Sequence, residues 1–185
     1  MGFLENLNRR KEIERERWGQ AELTRKREER DRTQAKVKER IEAFALFLQA
    51  KKQFDESGLR VLIDRLLAIE PKLKFVERLK EGSPYYSPEY YLGEGEYLCE
   101  VILSERTDFS KYHDNTKIYK SIGIVATHDG TIRFDGNRKK GSSVVPKNIW
   151  KNNKNVLEED LGKAYENPQE AISRPIPYNE APGMG

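Results

Sequence analysis

Hydrophobic positions are spread so unevenly along this chain that its two halves read as different kinds of structure. Between Glu14 and Lys36 the only apolar residues are Trp18, Ala21, Leu23 and Ala35. A helix is still predicted over 3–52, because no Pro interrupts residues 5–42 and Gly19 is their single glycine. Toward its end Val37, Ile41, Phe44 and Leu48 recur at 4-3-4 spacing, with Leu46 and Phe47 widening the stripe. That stripe is expected to pack on the domain that follows. On a helical wheel Phe3, Leu4, Leu7, Trp18 and Ala21 share one face. Leu23, Val37, Ile41, Phe44 and Leu48 share another, a quarter-turn or more away. A left-handed supercoil drifts only about 20° per heptad and in the opposite sense, so no continuous coiled-coil seam joins the two faces. The segment is read as a solvated charged helix, with weak coiled-coil self-association as the second reading. Fully helical, 3–52 would be about 75 Å long.

After candidate caps at Asp55-Glu-Ser57, residues Leu59, Leu62, Ile63, Leu66 and Leu67 follow at helical spacing. Pro71 interrupts, and a further short helix is expected with Leu73, Val76 and Leu79 inward and Gly82 as its stop. Residues 37–82 therefore read as a helical hairpin region. Residues 83–95 carry Tyr85, Tyr86, Tyr90 and Tyr91 among Pro and Gly and read as a linker. Its tyrosines are expected to pack with their hydroxyls outward rather than to bind bases or peptides.

Residues 96–105, 118–127 and 131–135 read as strands from their β-branched and aromatic content. His128-Asp129-Gly130 is a three-residue hairpin loop with Gly at the left-handed position. The polar stretch 106–116 is expected to be a long loop. Asn155 and Glu158 resemble a capping box for a short helix over 156–166, and Asn167-Pro168 with Glu170 suggests one more helical turn. The Pro/Gly-rich end reads as a flexible tail. The predicted fold is α+β: a long charged N-terminal helix, a helical hairpin, a small antiparallel three-stranded sheet and a short C-terminal helix. The divisions are 1–36, 37–82, 83–95, 96–166 and 167–185.

Charge sharpens this picture. Residues 5–42 hold 23 Asp, Glu, Lys or Arg among 38. Glu5/Arg9, Glu22/Lys26 and Glu28/Arg32 stand in the favourable i,i+4 order, each pair worth about 0.2–0.5 kcal/mol. Lys11/Arg15 and Lys36/Arg40 oppose them. The overall charge of +3 hides +5 on residues 1–52, −4 on 53–132, +6 on 133–154 and −4 on 155–185. Cys99 is the single cysteine, so no intrachain disulfide forms and a reducing, cytoplasmic setting is expected. One Cys and two His are too few for the usual four-ligand structural zinc site. The start has no signal-peptide core, and Asn6 stands where a myristoylation signal has Ser or Thr.

Candidate chemistry is sparse. His113-Asp114 and His128-Asp129 pair an imidazole with a carboxylate, but turn chemistry explains the second and a polar loop the first. Cys99 lies mid-strand and reads as a core residue. No metal, cofactor or catalytic residue is assigned, and the protein is expected not to be an enzyme. Arg133, Arg138, Lys139, Lys140, Lys147, Lys151 and Lys154 form the most one-sided charge run, with Trp150 or Tyr119 as stacking partners for a nucleic acid. Phe3, Leu4, Leu7 and Trp18 beside Arg9-Arg10-Lys11 resemble a short interfacial anchor. Glu5, Glu12, Glu14 and Glu16 oppose that anchor, so a membrane surface ranks last among the partners. The preferred function is interaction or scaffolding, through a projecting charged helix that meets an unknown protein partner or its own copy. Nucleic-acid binding by 133–154 is the alternative.

Overall fold

The computed structural model describes residues 2–108, 116–135 and 143–171. Among these residues the elements run α1 (Phe3–Glu56), α2 (Leu59–Ile69), β1 (Lys74–Glu77), β2 (Tyr97–Asp108), β3 (Thr116–Ala126), β4 (Ile132–Asp135), β5 (Ser143–Val145), α3 (Lys147–Asn152), α4 (Asn155–Glu166) and β6 (Gln169–Ala171). The chain divides into two compact units, Met1–Glu39 and Arg40–Gly185.

In the first unit every residue from Leu7 to Glu39 is solvent-exposed. Local contacts sustain the helix here. Lys26 Nζ lies 2.8 Å from Glu22 Oε1, with both side chains about two-thirds exposed. Such a pair contributes only a few tenths of a kcal/mol, about 0.2–0.5. The hydroxyls of Thr24 and Thr33 donate to the carbonyls of Gln20 and Glu29, one turn back.

The second unit is an antiparallel sheet with helices packed on one face. Strand order is β1-β2-β3-β4-β5, and β6 pairs with β3 beyond the end of β4. Register lines up one row of core residues per rung: Tyr97 with Ala126, Cys99 with Ile124, Val101 with Ile122. Ile124 continues to Phe134, and Ile132 to Val145. Onto this face pack Phe44, Phe47, Ala50 and Phe54 of α1, Leu59 and Ile63 of α2, and Leu157, Leu161 and Ala164 of α4, all in one cluster. A small second cluster, Val76, Ile102 and Tyr119, lies apart from it. Register shifts between Ile102 and Ser104 mark a bulge that lets β2 and β3 continue as a long pair.

The α+β class, the long N-terminal helix, the helix over 59–67, the C-terminal helix and strands β2, β3 and β4 match the sequence reading, and several details differ. Among the described residues the sheet has six strands, not three. Residues 74–77 form strand β1 instead of the inward-facing helix expected around Leu73, Val76 and Leu79. The i,i+3 spacing there is real, but Phe75 and Val76 find backbone partners in Val101 and Glu100, far away in sequence. β5 and β6 are three-residue strands, too short to carry a period. β6 occupies the place of the expected helical turn at Glu170. β2 and β3 extend into the stretch read as a loop, whose residues 109–115 lie outside the described ones, as does the end of the expected tail from 172 onward.

The buried stripe of α1 is also rotated in part from the expected one. Phe44 and Phe47 of that stripe are buried, but Val37, Ile41 and Leu48 are 41%, 47% and 41% exposed, and Ala50 and Phe54, outside it, are fully buried. The helix offers two apolar stripes, and the one rich in phenylalanine buries more area against the sheet. Tyr91 and Tyr86 cover it, with ring centroids 5.4–5.7 Å from those of Phe44 and Phe47. The tyrosine segment thus packs, but not with every hydroxyl outward: Tyr91 is buried and its hydroxyl accepts the Gly95 N–H at 3.1 Å, while Tyr90 remains exposed. Gly95 closes it at φ +85°, where a Cβ would stand 2.7 Å from Leu46 Cβ. Only glycine lets the backbone cross the helix so closely.

Caps differ too. Ser57 bridges α1 and α2: its hydroxyl donates to Phe54 O at 2.6 Å and accepts from Leu59 N at 3.1 Å. α4 has no capping box. Asn153 Oδ1 accepts the Asn155 N–H at 3.2 Å, an Asx turn that starts the helix.

This packing separates two truncations to alanine on the same helix. Phe54→Ala is expected to cost about 3–5 kcal/mol of unfolding free energy. Leu48→Ala, in the originally expected stripe, should stay within about 0.5 kcal/mol. Urea denaturation of both variants checks this, and equal losses would contradict the observed helix rotation.

Candidate functional site

The turn between β3 and β4 is built by one carboxylate. Asp129 Oδ1 accepts the Thr131 N–H at 2.9 Å and also the hydroxyl of Thr127. These donors, the Thr127 hydroxyl first, hold the Asp129 carboxyl below its ordinary range. Gly130 adopts φ +89°, and a Cβ there would come within 2.7 Å of the aliphatic stem of Lys147. The Gly130 carbonyl accepts the Trp150 indole N–H at 2.8 Å. α3 is thereby fastened to the hairpin turn. Asp129, Thr131, Pro146, Lys147, Asn148 and Lys151 line the shallow, open depression between them.

This geometry sorts the basic run into three groups. Lys147, Lys151 and Lys154 reach solvent, and Lys147 and Lys151 share one side of α3 at i,i+4 spacing. Arg133 is half-buried, and its Nε lies 3.1 Å from Asp135 Oδ1, so its charge is largely compensated. Arg138, Lys139 and Lys140 lie outside the described residues. Neither expected stacking ring is available: Trp150 is 4% exposed and Tyr119 is 5% exposed. What this part of the chain offers a polyanion is Lys147 and Lys151 beside Asp129, with Lys154 exposed past the end of α3. That arrangement can touch phosphates but cannot stack on bases.

The expected acid–base candidates fare similarly. His113-Asp114 lies outside the described residues. Asp129 is engaged by the turn itself. Cys99 is fully buried, and burial holds its thiol protonated by pushing its pKa well up. Among the described residues no three His, Cys, Asp or Glu come together so as to hold a metal ion. Among them also no helix is long and apolar enough to cross a membrane.

One polar cluster escaped sequence reasoning. The hydroxyl of buried Tyr97 donates to Glu77 Oε1 at 2.5 Å. Lys51 Nζ stands 5.8 Å from the centre of the Tyr97 ring and 3.1 Å from Asp55 Oδ2. Burial, with Cys99 and Glu77 adding, pushes the Tyr97 hydroxyl far above its ordinary pKa. Glu77 reaches Tyr97 because β1 pairs with β2 and sets Glu77 opposite Cys99. No local signal places these residues together. The cluster satisfies the one polar atom of a buried ring and reads as structural.

Comparisons with protein-family models, with curated proteins and with solved structures give no match to this chain. Its function therefore rests on the residues alone.

The depressed Asp129 pKa has a definite sign. The stabilisation it carries is present above the unfolded carboxyl value, about 3.9, and is lost as pH falls through the lower folded value. Between about pH 4.5 and 2.5 the native chain should lose stability more steeply than Asp129→Asn. Denaturation midpoints across that range test this, and parallel curves would contradict the role given to Asp129.

Proposed function

We propose that this chain is a non-enzymatic interaction or scaffolding protein in which residues 3–39 of α1 are the binding element and 40–185 is its folded anchor. One observation carries the reading. From Leu7 to Glu39 no residue is buried, yet Trp18 and Leu23 present 74% and 65% of their surface to solvent. Most helical stability in proteins comes from tertiary packing of an apolar face, and this stretch has none of its own. A second surface laid against it would supply that packing, and the partner is another helical chain or a second copy. A reducing, cytoplasmic setting goes with this reading, and the single cysteine, Cys99, favours it because one cysteine leaves no disulfide to form.

Light scattering on the full chain and on residues 37–185 tests the reading. The full chain is expected to be dimeric or larger and the truncated chain monomeric. Two monomers would remove scaffolding by self-assembly. Polynucleotide binding that survives the truncation and falls with salt would move the function to Lys147, Lys151 and Lys154 instead.

A further inference from the structure

The first four to five turns of α1 carry an arrangement that their composition conceals. At 100° per residue, Phe3, Leu7 and Trp18 fall within about 60° of one another on the helix surface. Phe3 and Trp18 are 79% and 74% exposed, and Leu7 is 39% exposed. Arg10 and Lys11 border this face on either side, and Arg15 lies just beyond Lys11. Glu12 and Glu16 stand at the opposite pole, roughly 150–170° from the centre of the apolar face. Glu14 is the one acid on the apolar side. All six of these charged residues are exposed. Arg9 stands with Glu12 and Glu16 on the far pole, so the segregation is partial: Arg10, Lys11, Arg15 and Arg17 lie toward the apolar face, and those two acids away from it.

We propose that, beyond the protein-partner reading given above, this face of the first turns is an interfacial anchor for an anionic lipid surface. Three features select lipid over other occupants. Cations flank the apolar face while two acids are turned away, which complements a negative leaflet and lets Arg and Lys stems lie along the interface. Trp and Phe are the side chains best suited to the boundary between headgroups and acyl chains. The anchors at 3, 7 and 18 leave roughly 16 Å of helix between Leu7 and Trp18. A protein groove reads anchors at i, i+3 or i+4 and i+7, whereas a continuous lipid surface accepts that gap. A second copy fits worse, because burying this face symmetrically gathers these cations from both copies with only two Glu14 carboxylates between them.

The full chain reports on itself. Trp18 is exposed and Trp150 is buried, so a blue shift in emission on adding vesicles reads out Trp18. With phosphatidylserine–phosphatidylcholine vesicles the chain is expected to co-sediment and its emission to shift blue, both weakening as salt rises. Pure phosphatidylcholine vesicles should bind far less. Trp18→Ala, and separately Lys11→Glu with Arg15→Glu, should each weaken binding more than about tenfold. Glu12→Gln with Glu16→Gln, on the far pole, should leave it unchanged or slightly tighter. Every substituted side chain is exposed and in the first unit, so folding of residues 40–185 is not at stake. No binding to the anionic vesicles, or equal binding to both kinds, would overturn the proposal. A chain that self-associates but ignores both vesicles overturns the lipid anchor and leaves the interaction reading standing.

Discussion

Phe54 and Tyr97 meet with ring centroids 4.8 Å apart, the first fully buried and the second 1% exposed. Around this pair Phe47, Phe44, Tyr86 and Tyr91 continue an aromatic seam between α1 and the sheet. Each such ring contributes about 1.5–3 kcal/mol by burial, and each well-placed aromatic pair about 0.5–1.5 kcal/mol more. The seam fixes the rotation of the last turns of α1. It holds the tyrosine segment down, and it sets the Tyr97 hydroxyl at the Glu77 carboxylate on β1. The two-residue link at Ser57-Gly58 then starts α2 from the end of that fixed helix.

The seam also divides one helix into two kinds of helix. From Phe44 to Phe54 the helical conformation is supported by a core. From Leu7 to Glu39 it is supported by side-chain pairs such as Glu22–Lys26, each small. Gly19 sits within this stretch, and helix interiors lose about 1 kcal/mol there relative to Ala. A long, exposed helical surface of both charge signs, carried by small pairs, costs little to rearrange on a partner. That makes the N-terminal unit the place to look for function, while the depression beside Asp129 reads as the by-product of fastening α3 to a hairpin turn.

Sequence periodicity exposed the parts that local physics decides. The helix over 59–67, the strands around 97–105 and 118–126, and the Asp129-Gly130 turn each carry their signal within a dozen residues. The exact rotation of α1 did not, because Phe44 and Phe47 can be buried together with either Val37, Ile41 and Leu48 or Ala50 and Phe54, and only the sheet chooses between them. β1, β5 and β6 are short strands that exist through partners distant in the chain. At the candidate site the run of lysines and arginines was legible as charge. Its division into solvent-facing lysines and an ion-paired Arg133 was not, since Arg133 meets Asp135 on β4 while Lys147 and Lys151 ride on α3. The burial of Trp150 followed from its indole bond to Gly130, a contact across 20 residues.

Hydrogen exchange on the full-length chain, resolved along α1, tests the division of that helix most directly. Amides from about Phe47 to Phe54 should exchange only through opening of the core, with protection close to that of the central strands. Amides between Leu7 and Glu39 should exchange orders of magnitude faster, by local fraying of an unsupported helix. Uniformly high protection along the whole of α1 in a monomeric sample would contradict the account, because it would require packing that this stretch does not possess.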